Sequence, residues 1–267
     1  MELTVLQYIL LGLIQGITEW LPISSSGMIT LTATNFFGIT NISQLLHIAL
    51  FFHLGTFFAA LIYFREDVTD LIITIFKYKS SSEEIQKILK FLLIATIITG
   101  IFGIVLMLYL ENINLSLTGK TITFVIGVFL LFTAGLQLTT KSKGLRKPKD
   151  IKTSDSLFLG ATQGLATLPG ISRSGITVSS LLLSKFDDTT ALRLSFLLSL
   201  PVILFGNLLL NINDIALTFT SGSIYGLLTA FIFGLVTIHG LMKLSKKINF
   251  GWFVLIFAIL MLVSVLI

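Results

Sequence analysis

The sequence predicts an all-α polytopic membrane protein made of two inverted-topology repeats, each a re-entrant helical hairpin plus three transmembrane helices. Three observations carry that expectation. First, 54% of the 267 residues are hydrophobic, only 12% are charged, and the mean hydropathy is +0.98. A soluble domain devotes roughly a quarter of its residues to charge. Second, the basic residues fall on one side of a simple threading of the apolar segments. Third, a stretch of 16 residues recurs at an offset of 148. The expected organisation is a single membrane domain over 1–267, with repeat one at 1–139, a cytoplasmic loop at 140–154 and repeat two at 155–267.

The full spans are expected at 46–63, 91–110, 121–139, 194–211, 224–242 and 250–267, each near the ~20 apolar residues that a bilayer core demands. Two further apolar regions, 4–38 and 155–184, are each interrupted by a proline followed by a Ser/Gly cluster. Proline withdraws a backbone donor and disfavours helix at the residue before it. Broken backbone survives at membrane depth only where protein or a wet cavity covers it. Both regions therefore read as helix–turn–helix hairpins that enter the membrane and return. The stretch 64–90 reads as cytoplasmic surface structure, with a short amphipathic piece and a capping-box pattern at Ser81-Ser82-Glu83-Glu84. The opening Met1-Glu2-Leu3-Thr4 lacks a basic n-region, and the apolar run behind it carries Gln15 and Glu19, so it reads as mature protein. With no cysteine, a disulfide scaffold and a thiol nucleophile are excluded.

Lys and Arg cluster at 141–152, at 65–90, at 243–247, and at Lys185 and Arg193, which together hold 16 of the 18 basic residues. All lie on one side if each span crosses once and each hairpin returns, and the positive-inside rule makes that side cytoplasmic. The net charge of +5 thus reports orientation and calls for no nucleic-acid partner. The first hairpin then starts outside and the second inside, which gives the halves opposite orientation. Residues 12–27, GLIQGITEWLPISSSG, align without a gap to residues 160–175, GATQGLATLPGISRSG, with seven identities in 16 positions. Inverted repeats with broken helices are a transporter-like plan.

Only two residues of fixed charge lie within apolar membrane segments, Glu19 and Arg173. Each would cost a few kcal/mol or more unpaired at the bilayer centre, and such residues mark function by default. They occupy equivalent regions of the two hairpins, so both are expected to line one polar pocket. Gln15 and Glu19, four apart, share a helix face. Ser24, Ser25, Ser26 and Gly27 then lead into a second helix. In the other hairpin Gly170, Ser172, Arg173, Ser174 and Thr177 surround the matching helix start. Backbone N–H groups and hydroxyls at a helix start bind anions, and an arginine forks onto phosphate oxygens. A carboxylate beside that anion holds a divalent cation or acts as a base, which suits Glu19 with Gln15. For any single serine, a plain helix cap explains the residue equally well. A phosphate in a membrane pocket implies a lipid phosphate, and a serine beside a base suggests phosphoryl transfer. Spacing alone leaves a phospholipid carrier equally open.

These motifs resemble the undecaprenyl-diphosphate phosphatase family, the bacitracin-resistance phosphatases. The (E/Q)xxxE motif stands here as Gln15 to Glu19, running into Pro22-Ile23-Ser24-Ser25, and the PGxSRSxxT motif as Pro169 to Thr177. Residues 194–206 and 47–65 also resemble family segments, so the likeness covers nearly the whole chain. The resemblance implies hydrolysis of a long-chain polyprenyl diphosphate to the monophosphate, which recycles a lipid carrier for cell-envelope glycan or glycoprotein synthesis. It implies a divalent cation, Mg2+ or Ca2+, held by Gln15 and Glu19. It makes Ser25 the nucleophile, Glu19 a metal ligand or base, and Arg173 the phosphate clamp. Ser24, Ser26, Gly27, Gly170, Ser172, Ser174 and Thr177 would bind the diphosphate. The implied location is the cell membrane, with the pocket open to the outer face. The oligomeric state is left open, a homodimer included.

One departure stands out. The bacterial pattern has His after Ser-x-Gly, where this chain has Met28; archaeal relatives of the family also lack that His, which fits an archaeal-type member. A thioether neither transfers protons nor suits a hard cation. His53, in a span facing this region where the bacterial pattern has Gln, is the hypothesis for the missing imidazole. His47 and His239 are read as structural. The competing function is a polyprenyl-phosphate carrier or scramblase without hydrolysis. The repeats and Met28 favour the carrier; Gln15, Glu19, Ser25 and Arg173 favour the enzyme.

Overall fold

The computed structural model of the chain describes residues 3–39, 41–111, 144–167, 171–210 and 220–245, with scattered positions within 124–138 and 251–263. Every bounded element among them is helical. Helix α1 (Val5–Thr18) starts in a reciprocal cap: the Thr4 hydroxyl accepts from the Gln7 amide, and the Gln7 side chain accepts from the Thr4 amide. The chain leaves helix just ahead of Pro22, as a proline requires. Helix α2 (Ser25–Phe37) follows and ends on Gly38, whose φ of +69° is the left-handed conformation that glycine adopts without strain. Then come α3 (Ile42–Tyr63), α4 (Arg65–Phe76) and α5 (Glu83–Glu111). After 144 the elements are α6 (Thr153–Gly164), a 3-10 turn at Leu165–Thr167, α7 (Arg173–Leu183), α8 (Asp188–Leu210) and α9 (Ser221–Leu244).

Among the described residues four helices are long and apolar enough to cross a bilayer, over Leu45–Tyr63, Glu83–Leu106, Asp188–Leu208 and Ser221–Leu244, and the chain is a polytopic membrane protein. The two other expected spans, 121–139 and 250–267, lie largely outside the described residues. Each interrupted region contains two helices, α1 and α2 in one and α6 and α7 in the other, and each second helix starts within its Ser/Gly cluster. The expected cap before α5 shifts by one residue. Ser82 rather than Ser81 accepts the orphan amide, from Ile85, and Glu83 turns forward to pair with Lys87 at 2.8 Å. The Ser81 hydroxyl is instead engaged with Thr74 of α4.

The chain divides into two compact units, one of residues 1–63 and 199–241, the other of 64–198 and 242–267. Each draws on both halves of the sequence. In the first unit α1 lies against α9 through glycines. A Cβ on Gly12 would stand 2.1 Å from the Gly226 carbonyl oxygen, and one on Gly16 would stand 2.7 Å from that of Ala230. In the second unit α6 lies against α5 in the same manner. A Cβ on Gly160 would stand 2.9 Å from the Ala95 carbonyl oxygen, and one on Gly164 2.8 Å from Phe102. Small residues four apart let membrane helices approach backbone to backbone.

The segment after 144, expected as a loop, is docked in the second unit. The Arg146 guanidinium donates to Asp155 at the start of α6, to the Asp150 carbonyl and to the Ser184 carbonyl at the end of α7. It also lies 4.3 Å from the centre of the Phe186 ring. One side chain thereby ties the outer ends of α6 and α7 together.

Candidate active site

In the first unit the break between α1 and α2 folds Glu19 back onto Ser25. Glu19 is the last residue in helical conformation at the end of α1, its amide bonded to the Gln15 carbonyl. A carboxylate at a helix C-terminus faces the negative end of the dipole, and this one is only 6% exposed. Its burial is offset by donors that converge on one oxygen. Glu19 Oε2 accepts from Gln15 Nε2 at 3.0 Å and from the Ser25 hydroxyl at 2.7 Å, and it meets His53 Nε2 at 3.1 Å. Ser25 opens α2, so its hydroxyl stands at the positive end of that helix while its proton points at the carboxylate. The His53 ring is oriented by its other nitrogen. Nδ1 lies 2.5 Å from the Ala49 carbonyl, which can only accept, so Nδ1 carries a hydrogen and Nε2 is the atom turned to Glu19. The structure thus brings together Gln15, Glu19, Ser25 and His53, all predicted from sequence.

The flanking serines do what capping chemistry asks. Ser24 accepts from the Gly27 amide at 3.2 Å and lies 3.4 Å from the Ser26 hydroxyl. Met28 donates its amide to the Ser24 carbonyl in the first turn of α2.

In the second unit the same geometry recurs 148 residues later. Ser172 accepts from the Gly175 amide at 3.1 Å and lies 3.1 Å from the Ser174 hydroxyl. The two cap residues have nearly the same backbone, φ −73° and ψ 108° at Ser24 against φ −72° and ψ 116° at Ser172. Arg173 opens α7 in the place that Ser25 holds in α2. Thr177 is fully enclosed, its hydroxyl on the Arg173 carbonyl and 2.5 Å from the Ser195 hydroxyl of α8. Gly170 lies outside the described residues. Gln163, the counterpart of Gln15, donates to Thr99 of α5 rather than to a carboxylate. Sequence reasoning missed Ser195 and Thr99, neither of which stands in a motif; only the packing of α8 and α5 reveals them.

Among the described residues no three of His, Cys, Asp and Glu gather to hold a metal by themselves. The first unit nevertheless offers oxygen donors of the kind a hard cation takes. Beside the Glu19 carboxylate and the Ser25 hydroxyl, Gln15 Oε1 is buried without a protein partner, on a residue 0% exposed. A buried carbonyl oxygen without a partner calls for a ligand or water. One carboxylate and neutral oxygens leave most of a cation's sphere to a second ligand and water, as Mg2+ prefers.

Comparison with known proteins places the whole chain. The family described as "Bacitracin resistance protein BacA" matches residues 8–263. A protein of Methanococcoides burtonii named undecaprenyl-diphosphatase is 43% identical over 255 residues, 94% of each chain. One of the same name from Methanothrix thermoacetophila is 34% identical, over 93% of this chain and 92% of its own. Another, from Desulforapulum autotrophicum, is 33% identical over 92% of each. Matched along nearly its whole length, the chain belongs to the bacitracin resistance protein BacA family.

Proposed function

We propose that this protein hydrolyses a long-chain polyprenyl diphosphate, of the undecaprenyl type named for its relatives, to the monophosphate and inorganic phosphate. The observation that carries the reading is the Ser25 hydroxyl, which donates at 2.7 Å to a buried Glu19 carboxylate. A carrier needs an anion clamp but has no use for a serine aimed at a base.

Ser25 Oγ attacks the terminal phosphorus as its proton passes to Glu19. The bond to the bridging oxygen breaks, and the polyprenyl monophosphate leaves. Water then releases phosphate from the serine, with Glu19 returning the proton. Gln15 holds Glu19 in place through its amide nitrogen. His53, on the same carboxylate oxygen, is the proton-transfer partner in a chain that carries Met28 where the bacterial pattern has His. Arg173, with Ser172 and Ser174, clamps the phosphates, as Ser24, Ser26, Gly27 and Gly170 do from their helix starts. Thr177 steadies the first turn of α7. Mg2+ or Ca2+, held by Gln15 Oε1 and Glu19, would neutralise charge on the phosphates.

The architecture that goes with this reading is two inverted repeats whose hairpins enter from opposite faces, with the pocket open to the outer face of the cell membrane. The matching caps at Ser24 and Ser172, and the matching glycine contacts of α1 with α9 and of α6 with α5, support the duplication.

The test is phosphate release from a polyprenyl diphosphate by purified protein in detergent, with and without chelator. Ser25→Ala is expected to abolish metal-dependent release while substrate binding persists. Lipid transport that survives in Ser25→Ala, with no release from the parent protein, would establish the carrier instead.

A further inference from the structure

Among the described residues, the second unit carries an apolar surface that no packed element of that unit covers. Helix α4 has two faces and two ends. Leu71 and Thr74 turn inward, and Thr74 bonds the Asp70 carbonyl and the Ser81 hydroxyl. Arg65, Glu66, Thr69 and Asp70 face outward in the first half, while Asp67 is held by Arg193 of α8. In the second half the outward face changes character. Ile72 is 51% exposed, Ile73 47%, Ile75 58% and Phe76 82%. The 3-10 turn Tyr78–Ser80 follows, with Tyr78, Lys77 and Lys79 exposed. Neither lysine makes an ion pair among the described residues. Four residues after Lys79, the membrane span Glu83–Leu106 begins.

Four neighbouring large apolar side chains left in water would be costly. The same face beside the mouth of a membrane span has lipid within reach. Apolar residues closed off by a tyrosine and lysines form the composition of a segment lying in the bilayer interface. Lysines that make no ion pair among the described residues complement anionic headgroups. The acidic residues of α4 itself, Glu66, Asp67 and Asp70, sit at its opposite end, and Glu83 beyond the turn is paired with Lys87.

We propose that the C-terminal half of α4 and its following turn form a lipid-docking wedge. Ile72, Ile73, Ile75 and Phe76 seat at the acyl boundary of one leaflet, Tyr78 lies among the headgroups, and Lys77 and Lys79 engage the phosphates of anionic lipids. This inference does not depend on the phosphatase reading.

The chain has no cysteine, so a single one takes a nitroxide label without ambiguity. Glu66→Cys, Asp70→Cys, Ile72→Cys and Phe76→Cys, each spin-labelled in the full chain, are reconstituted in nanodiscs of phosphatidylcholine with phosphatidylglycerol. All four positions are exposed, so packing is left intact. Labels at 72 and 76 are expected to collide with oxygen several-fold more than with a water-soluble nickel chelate, and labels at 66 and 70 the reverse. Equal water access at all four would overturn the proposal. So would dipolar broadening between labels at 76, which would mean that a second copy covers the face. Lys77→Gln with Lys79→Gln is expected to make the label at 76 shallower in anionic nanodiscs only. No change on losing both lysines would overturn the anionic-lipid part of the proposal.

Discussion

Glu19 is placed where a carboxylate is least welcome, at the C-terminal end of a helix and out of water, and one of its oxygens collects Gln15, Ser25 and His53. Those contacts set one carboxylate oxygen directly against the Ser25 hydroxyl proton. Glu19→Gln preserves size and the ability to accept hydrogen bonds but removes the proton acceptor. It is expected to lower kcat by about 10²–10⁴-fold while substrate still binds, measured by phosphate release and by retention of lipid substrate. A second carboxylate reports at the start of α8 in the second unit. Burial pushes Asp187 up, but bonds from the Thr190 hydroxyl and amide and from Lys147 more than offset it, leaving Asp187 below its ordinary value of 3.8. A depressed carboxyl stabilises the fold above its ordinary range, and that contribution is lost as pH falls through the lower, folded value. Asp187→Asn is therefore expected to flatten the fall in melting temperature below about pH 4, where the parent protein loses this term. The sequence showed Gln15 and Glu19 on one face because that follows from a spacing of four. It offered Ser25 by its place after the break. The meeting of His53 with Glu19 follows from the packing of α3 on the first hairpin, which no local spacing encodes.

At the scale of elements, the end of α1 ahead of Pro22 and the helix starts at Ser24 and Ser172 were legible because proline and serine act on their own backbone. Contacts between elements were less so. The glycines of GLIQG and GATQG were visible as a repeat, but their partners were not. Gly16 presses on the Ala230 carbonyl directly beside Gln15, so α1 can hold Glu19 in register only if α9 comes this close. Gly16→Ala is expected to push the helices apart at a cost of about 1–3 kcal/mol and to depress activity without altering any group that touches substrate. Gly206→Ala, where nothing lies within 4 Å of the new methyl, is the control and is expected to be neutral or stabilising by up to about 1 kcal/mol. Melting in detergent, read beside phosphate release, separates the two. The docked segment around Arg146 is the clearest case that pattern reading passes over. Its lysines mark a cytoplasmic loop by charge, and only the structure shows its arginine acting as a clasp across α6 and α7.

For the molecule as a whole, the helices exchange partners between the two halves of the sequence. Hairpin α1–α2 comes from the first half, yet its glycine face meets α9 of the second; α6 comes from the second half, yet its glycine face meets α5 of the first. Each half therefore buries its hairpin partly against its own helices and partly, through the glycine face, against the other half. A backbone brought so near its neighbour leaves, when that neighbour is missing, a helix face too small and too polar to satisfy itself in lipid. Cutting the chain between 140 and 143, ahead of the Arg146 clasp, tests this directly. Residues 1–141 or 142–267 expressed alone are expected to be degraded or protease-sensitive throughout. Co-expressed, they are expected to copurify and to recover Ser25-dependent phosphate release, because every contact that shapes Glu19 and α7 is restored without the covalent link. A first half that resists proteolysis by itself would mean that α1 finds another partner, and that α9 is dispensable to the fold of the site.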